Sequence, residues 1–421
     1  MSRPMKFKFV PILVLLFLAS RVLAQEPRTQ LTNDKAIGPF DEAPSLIGQS
    51  LRMMKTAGFW ISRHPSPDAV IMGPEAIDRF NARLRNGINL TTNKATGNIK
   101  LTKDIFTCNM NLSGVVIGVA PRYGLVVHYA SQRFLPTRKG LYQGKNGHDF
   151  DQLQNSALDV GTPVAVVHTS ADGLWYYALT AISDGWVEAK YIALGNVRQV
   201  RKFAEGKDFV VVIKPKADIF MNGSMTEYDD YVRMGMRLPL ARIDAGRVTV
   251  NVPVMDAKGA LVVKKAYMNA EDVNTGFLPF TARNIYKQAL MMLNQPYGWG
   301  DMYGEQDCSR FLQMVFATMG ISLPRDSWTQ AQVSKSSVAF DKKSNDASKI
   351  AAIAKAPAAN TLLVLKGHIM LYLGIVDGKP YAIHDTTILS LDRVIISDLS
   401  LGQGSPKGSL LKRLTRIVTI E

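Results

Sequence analysis

Cysteine is nearly absent from this chain: Cys108 and Cys308 are the only two in 421 residues, so at most one disulfide is possible. Histidine is scarce as well, with six residues. Three of them, His128, His148 and His168, are spread too far apart for a metal-ligand motif and read as structural; no metal or cofactor is expected. His64, in His64-Pro65-Ser66-Pro67, reads as a loop residue. No block of lysines and arginines appears, and no nucleic-acid-binding motif accompanies the basic residues, which argues against a nucleic-acid partner. Beyond the first residues no apolar run is long enough to suggest a membrane span.

What is present at the N-terminus sets the expected compartment. Arg3, Lys6 and Lys8 precede the apolar run Val10 to Ala19, and Val22-Leu23-Ala24 supplies small residues for cleavage. This is the pattern of a secretory signal peptide over residues 1–24, and the run is shorter than the ~20 residues of a membrane anchor, the competing reading. No cysteine lies near the cleavage site for lipid attachment. The expectation is an exported protein, periplasmic or secreted. Cleavage removes Arg3, Lys6, Lys8 and Arg21 and no acid, lowering the formal charge from +15 to +11. A basic exported protein suits an anionic polymer such as a cell wall; ordinary solubility charge is the plainer alternative.

The chemistry concentrates in the C-terminal third. In Asp307-Cys308-Ser309-Arg310-Phe311-Leu312, a thiol opens a segment where Phe311, Leu312, Val315, Phe316 and Met319 recur at helical spacing and Gly320 can end the helix. Asp307 and Ser309 are cap-type residues, so Cys308 is expected in the first turn, where free N–H groups and the helix dipole favour a thiolate. A buried structural cysteine is the other reading of an isolated Cys. Downstream, Gly367-His368 opens one expected strand and His384 sits near the end of the next, Tyr381 to Asp385. A thiol facing one histidine, with a second polar group orienting that ring, is what nucleophilic acyl transfer requires. Since a disulfide would consume this nucleophile, Cys108 is expected as a buried free thiol.

Taken together, Pro296-Tyr297-Gly298-Trp299-Gly300, Asp307-Cys308-Ser309, Leu323-Pro324-Arg325-Asp326-Ser327, Gly367-His368 and His384 give residues 279–421 a resemblance to NlpC-type, papain-like cysteine peptidases of bacterial cell-wall peptides. Arg310 departs from the pattern, which usually has Gly there; its long side chain could narrow the groove or meet an anionic substrate group. The resemblance implies Cys308 as nucleophile, His368 as base and then acid, and His384 as the group orienting it. It also implies a groove shaped by Asp307 and Ser309, and Asp326 with Ser327 at the free amine of the substrate's L-Ala. An ammonium in a closed pocket needs such a charged partner, although an exposed loop acid or a helix cap is an equally good reading of Asp326. The Cys308 N–H, with help from the Tyr297 hydroxyl, is the expected oxyanion donor.

The remaining chain reads as mixed and then β-rich. Helices are expected over Pro44 to Phe59 and Pro74 to Leu84 within residues 25–119. Over 120–200, the run Val164 to His168, the turn Asp172-Gly173 before Trp175 to Ala178, and Asp184 to Glu188 read as three strands of a small barrel resembling bacterial SH3 domains. Trp175, Tyr176 and Trp186 are either its core or a binding surface. A second, more divergent barrel without tryptophan is expected over 201–278, from Phe209 to Ile213, Arg237 to Ala241, Arg247 to Val252 and Leu261 to Lys264. The fold class is therefore α+β, a papain-like domain at 279–421 preceded by two SH3-like barrels. Exported relatives with this layout are γ-D-glutamyl-L-diamino acid endopeptidases that favour stems with a free N-terminal L-Ala. The resemblance thus implies peptidoglycan stem peptides or muropeptides as partners, no membrane anchor and a monomer. A wall-binding protein without catalysis and another thiol acyl-transfer enzyme, such as a wall amidase, are the alternatives.

Overall fold

The computed structural model describes residues 49–87, 108–115, 120–142, 149–341 and 343–421. The expected signal peptide, His148 and the side chain of Cys108 lie outside the described parts. Among the described residues no helix is long and apolar enough to cross a membrane.

The first of two β-units is a seven-stranded antiparallel sheet in the order β4-β3-β7-β6-β5-β2-β8. Its strands are β2 (Arg122–Val126), β3 (Ala130–Arg133), β4 (Gln154–Leu158), β5 (Pro163–Thr169), β6 (Trp175–Leu179), β7 (Asp184–Glu188) and β8 (Ile192–Gly195). The turn between β5 and β6 works because Gly173 takes a φ of +72° and the Asp172 carboxylate accepts the Leu174 N–H at 2.9 Å. Trp175 and Trp186 are buried, and Trp186 meets the rings of Tyr177 and His168 edge-on at 5.4 and 5.9 Å. They are core, not a binding surface.

The helix Val197–Ala204, opened by a capping box of Asn196 and Gln199, leads to the second unit. This comprises β9 (Phe209–Val212), β10 (Lys216–Phe220), β11 (Tyr228–Arg233), β12 (Arg237–Asp244), β13 (Arg247–Met255), β14 (Leu261–Asn269) and β15 (Val273–Thr275), ordered β11-β10-β14-β13-β12-β9-β15. Its interior is aliphatic, with Val210, Val212, Ile219, Leu238 and Val250 buried together. The same cluster includes Leu125, Val160 and Ala193 of the first unit, so the two β-units share one core. That shared burial, rather than a tryptophan, holds the second unit.

The C-terminal unit is a six-stranded sheet in the order β17-β22-β18-β19-β20-β21. It is built from β17 (Ser337–Ala339), β18 (Thr361–Leu365), β19 (His368–Val376), β20 (Lys379–Thr386), β21 (Arg393–Asp398) and β22 (Leu414–Thr419). Alternation along the strands sends Leu362, Ile369, Leu371 and Ile383 to the side of the helices Ala282–Met291 and Cys308–Ala317. Leu363, Met370, Tyr372 and Ala382 face the opposite cluster with Ile353 and Leu410.

The N-terminal helices belong to this unit. The single helix expected over Pro44 to Phe59 is two, Gln49–Met54 and Ala57–Arg63, because the Thr56 hydroxyl accepts the Phe59 N–H and starts a new helix. Residues before Gln49 lie outside the described parts. Trp60 is buried against Tyr286, and β1 (Val70–Met72) pairs with β16 (Phe280–Thr281). The helix Pro74–Gly87 follows, with Phe80 in the same core.

Candidate active site

Asp307 is the N-cap of the helix Cys308–Ala317, accepting the Arg310 N–H at 2.9 Å, and this fixes Cys308 as the first helical residue. The thiol lies against the start of β19, where the Ile369 N–H reaches the sulfur. His368 opens β19, and the Leu371↔Ile383 pairing puts His368 and His384 on the same face as diagonal neighbours. Their rings meet, with His368 Nε2 at 2.9 Å from His384 Nδ1. His384 Nε2 in turn lies 3.1 Å from Ser397 Oγ on β21.

This chain fixes the tautomers required for base chemistry. For His368 Nδ1 to take a proton, its Nε2 must carry the hydrogen and donate to His384 Nδ1, and His384 Nε2–H must then donate to Ser397. Cys308 and His368 both line a cavity of about 480 Å³. Phe150 of the first β-unit, Tyr297 and Trp299 form one side of it, and Lys366, Lys407 and Arg413 lie on its lining too.

The electrostatics differ from the thiolate expected at a helix N-terminus. Burial and the neighbouring Asp307 carboxylate push the Cys308 thiol up to about 12. Burial and the charge of Arg413 pull His368 down to about 4, and burial with the His368 ring takes His384 well below its usual range. Desolvation outweighs the helix end, so the resting pair is a neutral thiol and a neutral imidazole. Burial also keeps the Tyr297 phenol protonated, leaving its O–H as a donor at the cavity.

Asp307 and Ser309 are placed beside the nucleophile but are committed to the protein. Arg325 binds both Asp307 oxygens, at 3.0 and 2.8 Å, and Ser309 Oγ donates to Asp307 at 2.9 Å. The second guanidinium edge of Arg325 meets Asp301 at 3.0 Å. Arg310 does not enter the groove as its length suggested: it turns inward, and its guanidinium donates to Asp159 of the first β-unit at 2.8 Å. Arg233 of the second unit meets the same carboxylate at 2.8 Å. Three arginines and the acids Asp159, Asp301 and Asp307 thus join all three units in one buried cluster. Gly300 makes this approach possible: its φ is +57°, and a Cβ there would stand 2.9 Å from the Gln154 carbonyl of the first unit.

Asp326 is exposed, outside the lining of the Cys308 cavity, and caps the short helix Ser327–Gln330 by accepting the Thr329 N–H at 2.9 Å. In the chain alone Asp326 thus serves as an exposed helix cap, and Ser327 opens the same helix. Sequence reading missed Ser397, whose signal was a lone hydroxyl at the end of the apolar run Val394-Ile395-Ile396. It also missed Asp385, a buried carboxyl that accepts from Gln306 at 2.8 Å and whose acidity burial suppresses. Among the described residues no cluster of acids, histidines and cysteines could hold a metal.

The helix Cys308–Ala317, packed against the sheet, thus brings a thiol to the cavity that His368 lines, with Phe150 of the first β-unit on the same lining. Residues 294–400 match the NlpC/P60 family and residues 141–188 the SH3 domain of SH3b1 type, so the chain carries an NlpC/P60 domain and an SH3b domain. Over 165 residues it is 29% identical to a gamma-D-glutamyl-L-lysine dipeptidyl-peptidase of Bacillus cereus, covering 38% of this chain and 45% of that protein. A protein of the same name from Bacillus subtilis is 37% identical over 67 residues, covering 16% of this chain and 23% of its own. The chain thus matches less than half the length of these relatives. Among solved structures, an NlpC/P60 endopeptidase from Photobacterium damselae subsp. piscicida superposes with a TM-score of 0.70 at 21% identity, covering 86% of this chain and 96% of that one. An NlpC/P60 family protein from Bacillus cereus gives 0.50 at 21% identity, covering 70% and 98%. These two share the fold.

Proposed function

We propose that the protein is an exported, monomeric cysteine endopeptidase that cuts peptidoglycan stem peptides between γ-D-glutamate and the diamino acid. The observation that carries this reading is the convergence of Cys308 and His368 on one cavity, with His384 and Ser397 aligned behind His368. The names of the Bacillus relatives support the bond, and the SH3b unit at the cavity supports a terminal stem rather than an internal segment.

In this mechanism His368 Nδ1 takes the Cys308 proton as the sulfur attacks the γ-carbonyl carbon. The oxyanion is met by the Cys308 N–H, which has no intrahelical acceptor, and by the Tyr297 O–H. His368 returns the proton to the departing α-amine, leaving a thioester. Water then attacks the thioester as His368 takes its proton, and the thiol is restored. Proton transfer and attack are concerted in demand, because neither partner is charged beforehand.

Preference for a free N-terminal L-Ala belongs to the same proposal. Phe150 packs on Trp299 at 5.7 Å and on Tyr297 at 6.3 Å, and this aromatic side limits the room for glycan on the acyl end. Mass spectrometry of defined muropeptides incubated with the mature protein tests the reading: loss of the diamino acid from free stems is expected, and release of L-Ala from glycan would instead identify an amidase.

A further inference from the structure

The cavity around Cys308 has two chemically different sides. Phe150, Tyr297 and Trp299 make an aromatic wall, while Lys366, Lys407 and Arg413 bring three cations from two separate stretches of chain. Lys366 precedes Gly367 in the β18–β19 turn, Lys407 sits in the loop before the helix Leu410–Arg413, and Arg413 ends that helix. Among the described residues no Asp or Glu lines the cavity. Among the described residues none of the three cations forms an ion pair with a carboxylate.

Cations left without a counter-charge beside a general base work against it. Arg413 depresses the basicity of His368, the group that must accept a proton during attack. An anion seated among these cations would offset that penalty at the moment it is needed. Resting on the proposed function, the bond to be cut supplies such an anion. The scissile nitrogen is the α-amine of the diamino acid, and that residue's α-carboxylate is one carbon away. Diaminopimelate adds a second carboxylate on its side chain; lysine does not. The aromatic wall and the SH3b unit take the acyl end, so the leaving residue falls on the basic side.

We propose that Lys366, Lys407 and Arg413 form a carboxylate-binding subsite for the leaving residue, selecting stems that end in a free diamino acid and favouring diaminopimelate over lysine. Selection follows from charge complementarity in a partly enclosed site, where each cation–carboxylate contact is stronger than in open water.

Two measurements on the mature protein and its Lys407→Gln, Arg413→Gln and double variants test this. The first compares alkylation of Cys308 by anionic iodoacetate and neutral iodoacetamide. The iodoacetate-to-iodoacetamide rate ratio is expected to fall by about fivefold in the double variant and to fall with salt in the parent; an unchanged ratio overturns the basic subsite. The second compares kcat/KM for L-Ala-γ-D-Glu-diaminopimelate, for its leaving-residue carboxamides, and for the carboxamide of the D-Glu α-carboxylate. Amidating the leaving residue should cost about tenfold, chiefly in KM, and the double variant should lose that discrimination. A loss confined to the D-Glu carboxamide would put the subsite on the acyl end and overturn the assignment. Failure to cut any of these peptides, with the alkylation ratio as expected, would refute the proposed function while leaving an anion subsite at the thiol.

Discussion

Replacing Asp301 by Asn keeps the shape of the side chain and removes one negative charge from the buried ionic cluster that joins the three units. Asp301 is fully buried, in a left-handed backbone conformation with a φ of +67°. Its carboxylate meets Arg325 at 3.0 Å, Arg233 at 3.5 Å and Arg310 at 3.6 Å, and it accepts the Ala157 N–H at 3.1 Å. With Asp159 and Asp307 it balances the three arginines, so the substitution leaves one unit of positive charge without compensation. An uncompensated buried charge of this kind costs about 3–5 kcal/mol. At ~2–4 °C per kcal/mol, the midpoint of thermal unfolding should drop by about 10 °C. Arg310→Met in the same background restores neutrality, and the double variant should cost at least ~1 kcal/mol less than the two single changes together. Circular dichroism melts and urea titrations of the four proteins measure the cycle. An Asp301→Asn protein within ~0.5 kcal/mol of the parent, or strictly additive changes, would refute the claim that this cluster locks the β-units to the helix Cys308–Ala317.

Other outcomes follow from the site. Cys308→Ala and His368→Ala should abolish hydrolysis with little change in melting temperature, whereas Ser397→Ala should lower kcat modestly and leave KM alone, because it loosens the tautomer chain without removing the base. His368 protonates near 4 in the folded chain and near its ordinary 6.5 when unfolded, so stability is fully present above about pH 6.5 and declines by up to ~3 kcal/mol as pH falls to 4. A His368→Gln protein should show a correspondingly flatter pH dependence in urea titrations. Asp326→Asn should weaken discrimination between free and N-acetylated tripeptide only severalfold, since an exposed carboxylate–ammonium pair is worth about 1 kcal/mol or less; a hundredfold effect would show that substrate buries it.

The candidate site residues could be picked out in the sequence because each stands at or near an element boundary. Asp307 and Cys308 mark a cap and first turn, and His368 and His384 interrupt apolar strands with polar side chains that only a site or a hydrogen bond explains. The first β-unit was legible for a similar reason: β5, β6 and β7 are short, β-branched or aromatic, and separated by glycine turns. Strands β10 and β11 were missed, since Lys216-Ala217-Asp218 and Tyr228-Asp229-Asp230 carry charges on a half-exposed edge that hide their alternation. Arg310 was read outward because its partner Asp159 is 151 positions away and belongs to another unit. The basic wall could not be read either, as Lys366 meets the stretch that carries Lys407 and Arg413 only through the fold. The thiolate expectation failed on magnitude: a helix terminus contributes up to ~2 kcal/mol, less than the cost of charging a buried sulfur beside Asp307.

The central claim is that Cys308 performs acyl transfer at the γ-D-glutamyl bond. Incubation of L-Ala-γ-D-Glu-diaminopimelate with the mature protein in 18O-water, read by mass spectrometry, tests it most directly. The account predicts free diaminopimelate without label and L-Ala-D-Glu carrying one 18O in its γ-carboxylate, with both products absent for Cys308→Ala. Cleavage at another bond, or undiminished cleavage by Cys308→Ala, would contradict it.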